Sequence, residues 1–292
     1  MEGKAMHKNA PLIILVSVFL LVMNISSISY ANNLDEGVKA HKTGDFKKAH
    51  SLFLKEAKRG SAQAQYNLGV MYENGQGVLQ DYKEAVKWYR LAAEQGFAAA
   101  QYNLGVKYEN GQGVLQDYKE AAKWFRLAAE QGFAKAQNNI ATMYLNGQGV
   151  LQDYKEAMKW FRLAAAQGLA AAQYNIGVMY HDGQGVLQDY KEAIKWLRLA
   201  AAQGAAQAQS NLGFMYANGQ GVLRDDKEAA KWYRLAAEQG DALAKCNLAE
   251  AYATGKGVSK SYSEAKRWAK EGFEGGAESC SEIWKKYNLA NY

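Results

Sequence analysis

Apolar and polar positions follow a helical rhythm that restarts at fixed intervals along the chain. Over residues 62–73 the small and apolar positions are Ala64, Leu68, Met71 and Tyr72; over residues 81–95 they are Ala85, Trp88, Tyr89 and Ala92. Spacings of three, four and seven residues place each set on one face of an amphipathic helix. Asn74-Gly75-Gln76-Gly77 breaks the first helix, and Gly96 stands where a left-handed C-terminal cap is expected for the second. The pattern predicts a helix–turn–helix unit too small to bury its own apolar faces.

That unit recurs. Asn67, Asn103, Asn139, Asn175, Asn211 and Asn247 lie 36 residues apart, a period that marks a stacked repeat array. Trp88, Trp124, Trp160, Trp196, Trp232 and Trp268 keep the same register. Each shares a face with the Ala85 position, so the ladder reads as core at the repeat junctions and not as a platform for a cofactor or base. Burying one such ring is worth roughly 4–6 kcal/mol before entropy. Gly69, Gly105, Gly177 and Gly213 share a mid-helix slot with Ala141 and Ala249. Glycine there costs about 1 kcal/mol against alanine, so the slot demands smallness for a close helix approach. Asp81 with Glu84 three residues on has capping-box spacing, which gives Glu84 a capping role. Lys83, Lys87, Arg90 and Glu94 lie off the apolar face and are expected in solvent. Phosphate-binding glycines follow a strand and open directly onto a helix. Here a helix comes first, so the Gly75/Gly77 pair reads as turn geometry.

The motifs AQYNLGVMY, NGQGV and DYKEAVKWYRLAAEQG, with their copies, resemble Sel1-like repeats, relatives of the tetratricopeptide repeat. The likeness covers residues 62–277 as six repeats, the sixth degenerate, with Ser261 in the slot of Asp81 and Glu271 in that of Leu91. It implies an all-α fold, a right-handed α/α superhelical solenoid of antiparallel helix pairs. It also implies an adaptor or scaffold role without chemistry or cofactor in the repeat. In the related tetratricopeptide fold first-helix residues line a concave groove. Carried over, the groove is Tyr66, Asn67, Val70, Tyr102, Asn103, Val106, Asn139, Tyr174, Asn175 and Phe214. The Tyr66 and Val70 slots change from copy to copy, as positions without packing duty would, and tyrosine and aliphatic side chains suit a peptide or partner helix. The asparagines have two readings, a peptide-backbone clamp or a hydrogen bond between repeats. A clamp for an acidic C-terminus would want a cation beside each asparagine, and only Lys107 and Lys135 offer one.

Residues 1–31 are laid out as a signal peptide, with Lys4 and Lys8, an apolar run over 12–23 and Ser29-Tyr30-Ala31 before a cleavage point. An uncleaved membrane anchor is the rival reading; after cleavage no membrane span is expected. Residues 32–61 suggest a basic capping hairpin of tetratricopeptide type, and residues 278–292 a closing helix, with Ile283, Trp284 and Tyr287 over the last junction. The single proline, Pro11, lies in the leader, and without a linker the mature chain reads as one continuous solenoid. Cys246 and Cys280 fall at neighbouring first-helix positions, either as a disulfide staple or as two separate buried thiols.

The formal net charge is +6; the leader carries +1 of it, leaving +5 on the remainder. Lysines and glutamates interleave, which argues against nucleic-acid binding and leaves only weak attraction for anionic envelope polymers or lipid headgroups. The four histidines are scattered, and no HExxH, nucleophile elbow or CxxC pair occurs. Catalytic residues, metal ligands and cofactors are therefore not expected. Exported, cysteine-rich Sel1-like proteins have been linked to β-lactam chemistry, but the cysteine in every repeat is missing here. The function expected is an exported, periplasmic or secreted, non-catalytic adaptor that binds a protein partner in its groove. The alternative is a peptidoglycan- or polysaccharide-associated binding protein or regulator, with Tyr66, Tyr102 and Tyr174 against sugars. A β-lactam hydrolase-like activity is the remote third.

Overall fold

The computed structural model describes residues 33–291. Residues 1–31, with the signal-peptide reading placed on them, lie outside the described residues. All regular structure among them is helical. The chain divides into two compact units at Ala128–Ala129.

In the first unit, residues 33–42 (α1) and Phe46–Lys58 (α2) form the N-terminal hairpin. Gly44 turns the chain at φ +80°, and the Asp45 carboxylate accepts the Lys48 N–H at 3.1 Å to start α2. Then come Ala62–Asn74 (α3), Tyr82–Glu94 (α4), Ala98–Asn110 (α5) and Tyr118–Glu130 (α6), the last of which runs past the division. The second unit holds Ala134–Asn146 (α7), Tyr154–Ala166 (α8), Ala170–Asp182 (α9), Tyr190–Ala202 (α10), Ala206–Asn218 (α11), Asp226–Glu238 (α12), Ala242–Thr254 (α13), Tyr262–Glu274 (α14) and Ser279–Lys286 (α15). Helices adjacent in the chain pack as pairs, and pair stacks on pair within each unit.

The small slot explains how closely a pair packs. A Cβ on Gly69 would sit 2.5 Å from the Tyr89 ring, one on Gly105 2.7 Å from Phe125, and one on Gly213 2.6 Å from Tyr233. The first helix therefore lies directly on an aromatic ring of its partner. The turn glycines serve two different needs. Gly75 caps α3 at φ +66°, in the left-handed region that glycine enters without strain. Gly77, at φ +73°, also has no room for a side chain, because its Cβ would lie 2.6 Å from the carbonyl oxygen of Phe46 on the preceding hairpin.

Polar groups stitch the stack. Gln65 is buried and donates to the Ala57 carbonyl of the preceding hairpin at 3.2 Å, while accepting from Gln95 of its own repeat at 2.7 Å. Gln209 does the same with Ala201 and Gln239. Arg90 donates to the Tyr108 hydroxyl of the next repeat at 2.5 Å, and Arg162–Tyr180 and Arg234–Tyr252 repeat the bond at 2.9 and 2.6 Å. This corrects the expectation for Arg90. It is half-buried and bonded between repeats, whereas Lys83, Lys87 and Glu94 are exposed.

The capping box is only half formed. Asp81 accepts the N–H groups of Lys83 and Glu84 at 2.8 and 3.1 Å. Its own N–H, which Glu84 would have capped, instead donates to the Tyr72 carbonyl at 2.9 Å. Glu84 is thereby released and pairs with Lys87. Ser261 keeps the cap in the last repeat, accepting from the Glu264 N–H at 3.3 Å.

The C-terminal end departs from a helix running through 278–292. The helix stops at Lys286, Asn288 turns the chain at φ +49°, and a 3₁₀ turn over Leu289–Asn291 buries Leu289 completely. Leu289 thereby joins the buried cluster of Trp268, Cys280 and Ile283 that closes this end. Cys246 on α13 and Cys280 on α15 are joined as a disulfide with their Cα atoms 4.9 Å apart, both in the buried core.

Candidate functional site

The face read as a groove is built from first-helix side chains. In the first unit Tyr66, Asn67 and Val70 line a cleft of about 200 Å³ together with Val38, His41 and Phe53 of the N-terminal hairpin. Tyr66 packs at 5.2 Å from Phe97 and 5.9 Å from Tyr89, ring centre to ring centre, and Tyr102 lies 5.8 Å from Phe125. Tyr66, Tyr102 and Tyr174 are all half-buried, and burial pushes each hydroxyl up from its ordinary pKa. Neutral phenols with one open edge remain.

The asparagines turn toward the neighbouring repeats. Asn175 donates to Asn138 at 3.2 Å, while Asn103 lies by the hydroxyls of Tyr66 and Tyr89 and Asn211 by that of Tyr174, each partly offsetting the effect of burial on those phenols. Asn67, Asn139 and Val106 are half-buried on the same face. Asn175 is thus the amide with a direct bond between repeats.

Lys107 occupies a slot that is methionine in four other copies, Met71, Met143, Met179 and Met215. It is only 2% exposed and pairs with Glu73, while also donating to Gln112 at 2.9 Å. Glu73 in turn accepts from the Tyr89 hydroxyl at 2.5 Å. An anion clamp at Lys107 is therefore foreclosed by a partner already in place. The sequence signal was available, since a lysine in a methionine slot demands a counter-charge, and the residue before Asn74 is a glutamate.

In the second unit Phe214 is 46% exposed at the rim of a cleft of about 320 Å³. Asn218, Asn247, Glu250 and Thr254 wall it and Tyr233 floors it. The cleft opens because the sixth repeat substitutes Ala251 for the methionine of other copies. Two ion pairs border it. Arg224 grips Asp226 through two bonds of 3.0 Å, and Glu250 accepts from Lys286 at 2.9 Å and Tyr287 at 3.1 Å. The Lys286 bond holds the Glu250 carboxyl below its ordinary range despite partial burial. The cleft is thus polar at its rim and apolar at its floor; Arg224, Asp226 and Glu250 are already paired, and the exposed Lys256 completes the rim.

A family profile described as Sel1 repeat matches residues 62–97, 98–133, 134–169, 170–204, 206–241 and 242–276. The chain belongs to the Sel1 repeat family. Sel1 repeats generally mediate protein–protein interaction, and scaffolds of this family are typically non-catalytic. Among solved structures, the chain resembles c5321 of uropathogenic Escherichia coli, described as a protective antigen with an SLR fold. Identity is 41% and the TM-score 0.75 over 79% of this chain; the chain spans only 50% of the antigen's length. It also resembles a Sel1 repeat protein from Oxalobacter formigenes at 34% identity and TM-score 0.77, over 82% of this chain and 96% of that one. A search of curated proteins returns no match. No described helix is long and apolar enough to cross a membrane.

Proposed function

We propose that this Sel1 repeat chain is an exported, non-catalytic adaptor that holds a peptide or helix of a partner protein against its first-helix face. The cleft beside Phe214 carries the reading. It combines an exposed aromatic rim, an apolar floor and asparagines able to meet a peptide backbone. The Tyr66–Val70 cleft in the first unit offers a second, smaller seat of the same kind. Export is supported by the signal-peptide layout of residues 1–31 and by the likeness to a bacterial protein described as a protective antigen.

The experiment is site-directed photocrosslinking in the native cell. A photoreactive amino acid replaces Phe214 or Tyr102, with exposed Lys123 on a second helix as control. Protein adducts from Phe214 or Tyr102 and none from Lys123 are expected. Adducts from Lys123 alone would move recognition to the other face. Crosslinking to glycan in place of protein would favour the envelope-polymer reading.

A further inference from the structure

In five of the six repeats the turn between the two helices carries a leucine that the fold leaves bare, the sixth having Ser259 there. Leu79, Leu115, Leu151, Leu187 and Leu223 are 90–91% exposed. In the second unit Leu151, Leu187 and Leu223 follow one edge, because each turn sits on the start of the second helix before it. A Cβ on Gly185 would be 2.5 Å from the Tyr154 Cβ, and one on Gly221 2.6 Å from the Tyr190 carbonyl carbon. Leu79 and Leu115 stand on the same kind of turn in the first unit, where Gly113 abuts Tyr82.

The charges beside the leucines are sorted. Four residues on lie the exposed Lys155, Lys191 and Lys227. The nearby glutamates are occupied by other lysines: Glu156 by Lys159 at 3.1 Å, Glu192 by Lys195, and Glu228 by Lys231 at 2.8 Å. The carboxylates of Asp153 and Asp189 are folded onto helix N–H groups at 2.9–3.1 Å. Beside Leu223, Asp225 accepts the Glu228 N–H at 2.9 Å and Asp226 is held by Arg224, so the exposed Lys155, Lys191 and Lys227 are paired with none of these acids. We propose that this edge docks on an anionic lipid surface, the leucines entering the acyl boundary and the lysines meeting phosphate oxygens.

A side chain this exposed has no walls around it. A rigid protein partner would have to bring a pocket for every leucine at the spacing of the repeats, whereas a fluid bilayer needs no register. Single leucines bind weakly, but several on one edge act together, and lysines near anionic headgroups add to them. The association is peripheral, reversible and weakened by salt. It does not depend on the groove reading.

The test is co-sedimentation of the full chain with vesicles of phosphatidylglycerol and phosphatidylethanolamine, and with phosphatidylcholine alone. Every variant keeps the same N-terminus, so the leader contributes equally throughout. Wild type should prefer the anionic vesicles. The triple change Leu151→Ser, Leu187→Ser, Leu223→Ser should lower partitioning by about tenfold or more, since partitioning scales with buried apolar area. Lys155→Gln, Lys191→Gln, Lys227→Gln should abolish the anionic preference. The half-exposed Leu163, Leu199 and Leu235, toward the other end of the same helices, serve as control; their change to serine should leave partitioning within about twofold. Circular dichroism melts verify folding of each variant. Equal partitioning of wild type and the turn-leucine triple overturns the proposal, as does wild type that ignores both vesicles. A soluble dimer of the wild type, lost in the triple and indifferent to lipid, would assign the edge to a second copy instead.

Discussion

Glu73 and Glu109 occupy the same slot in consecutive repeats, yet their situations are opposite. Glu73 has the Tyr89 hydroxyl at 2.5 Å and the Lys107 ammonium as partners. Glu109 has Phe125 in the slot of Tyr89, so the hydroxyl is missing, and burial pushes its carboxyl up from the ordinary value. The rings sit alike, since a Cβ on Gly69 or Gly105 would meet them at 2.5 and 2.7 Å. The backbone is thus the same in both places, and one oxygen atom and one lysine decide whether a half-buried carboxylate is held or merely tolerated.

The largest expected effect breaks the held site. Lys107→Ala strips the charge partner from Glu73 and leaves a cavity, and should cost about 3 kcal/mol in urea unfolding. Combining Lys107→Met with Glu73→Leu and Tyr89→Phe copies Met179, Leu145 and Phe161, the same three positions two repeats on. The triple variant should return to within about 1 kcal/mol of wild type; a loss as large as the single change would mean the ion pair is not the cause. Tyr89→Phe makes the first site resemble the second and should cost about 1–2 kcal/mol. The reverse change, Phe125→Tyr, should stabilise by about 1 kcal/mol and bring the Glu109 titration down, read by carboxyl NMR. The smallest effect is Glu109→Gln. A carboxyl raised in the folded state contributes stability that is fully present below its unfolded pKa and is lost as pH rises through the folded one. Wild type should therefore lose stability on going upward from the ordinary carboxylate range. The glutamine variant should lack that component of the slope while differing little in acid.

Much of this architecture is legible in the chain. The 36-residue period, the mid-helix glycine and the Asp81 cap all answer local or repeated demands that a single sequence displays. Features that depend on competition for one atom are not legible. Glu84 has capping-box spacing, but the Asp81 N–H it needs is already bonded to Tyr72. Arg90 looks solvated on a helical wheel, yet the next repeat brings Tyr108 within reach. The clefts escape notice for a further reason. Each exists where a copy departs from its neighbours, at the N-terminal hairpin and at Ala251, and a consensus suppresses such departures. The exposure of the turn leucines is not legible either, because a leucine at a repeating position suits a core slot equally well.

The second glycine of each turn has a consequence for how such a chain changes over generations. Within each unit the turn seats on the start of the preceding helix by means its own segment carries, with Gly113 against Tyr82 and Gly221 against Tyr190. The glutamine and arginine bonds likewise pair residues that each of the first five copied segments contains. A duplicated or deleted block of 36 residues would arrive with both halves of every joint already encoded. Copy number is then a heritable variable that needs no compensating mutation, and a lineage could lengthen or shorten its binding surface by unequal recombination alone.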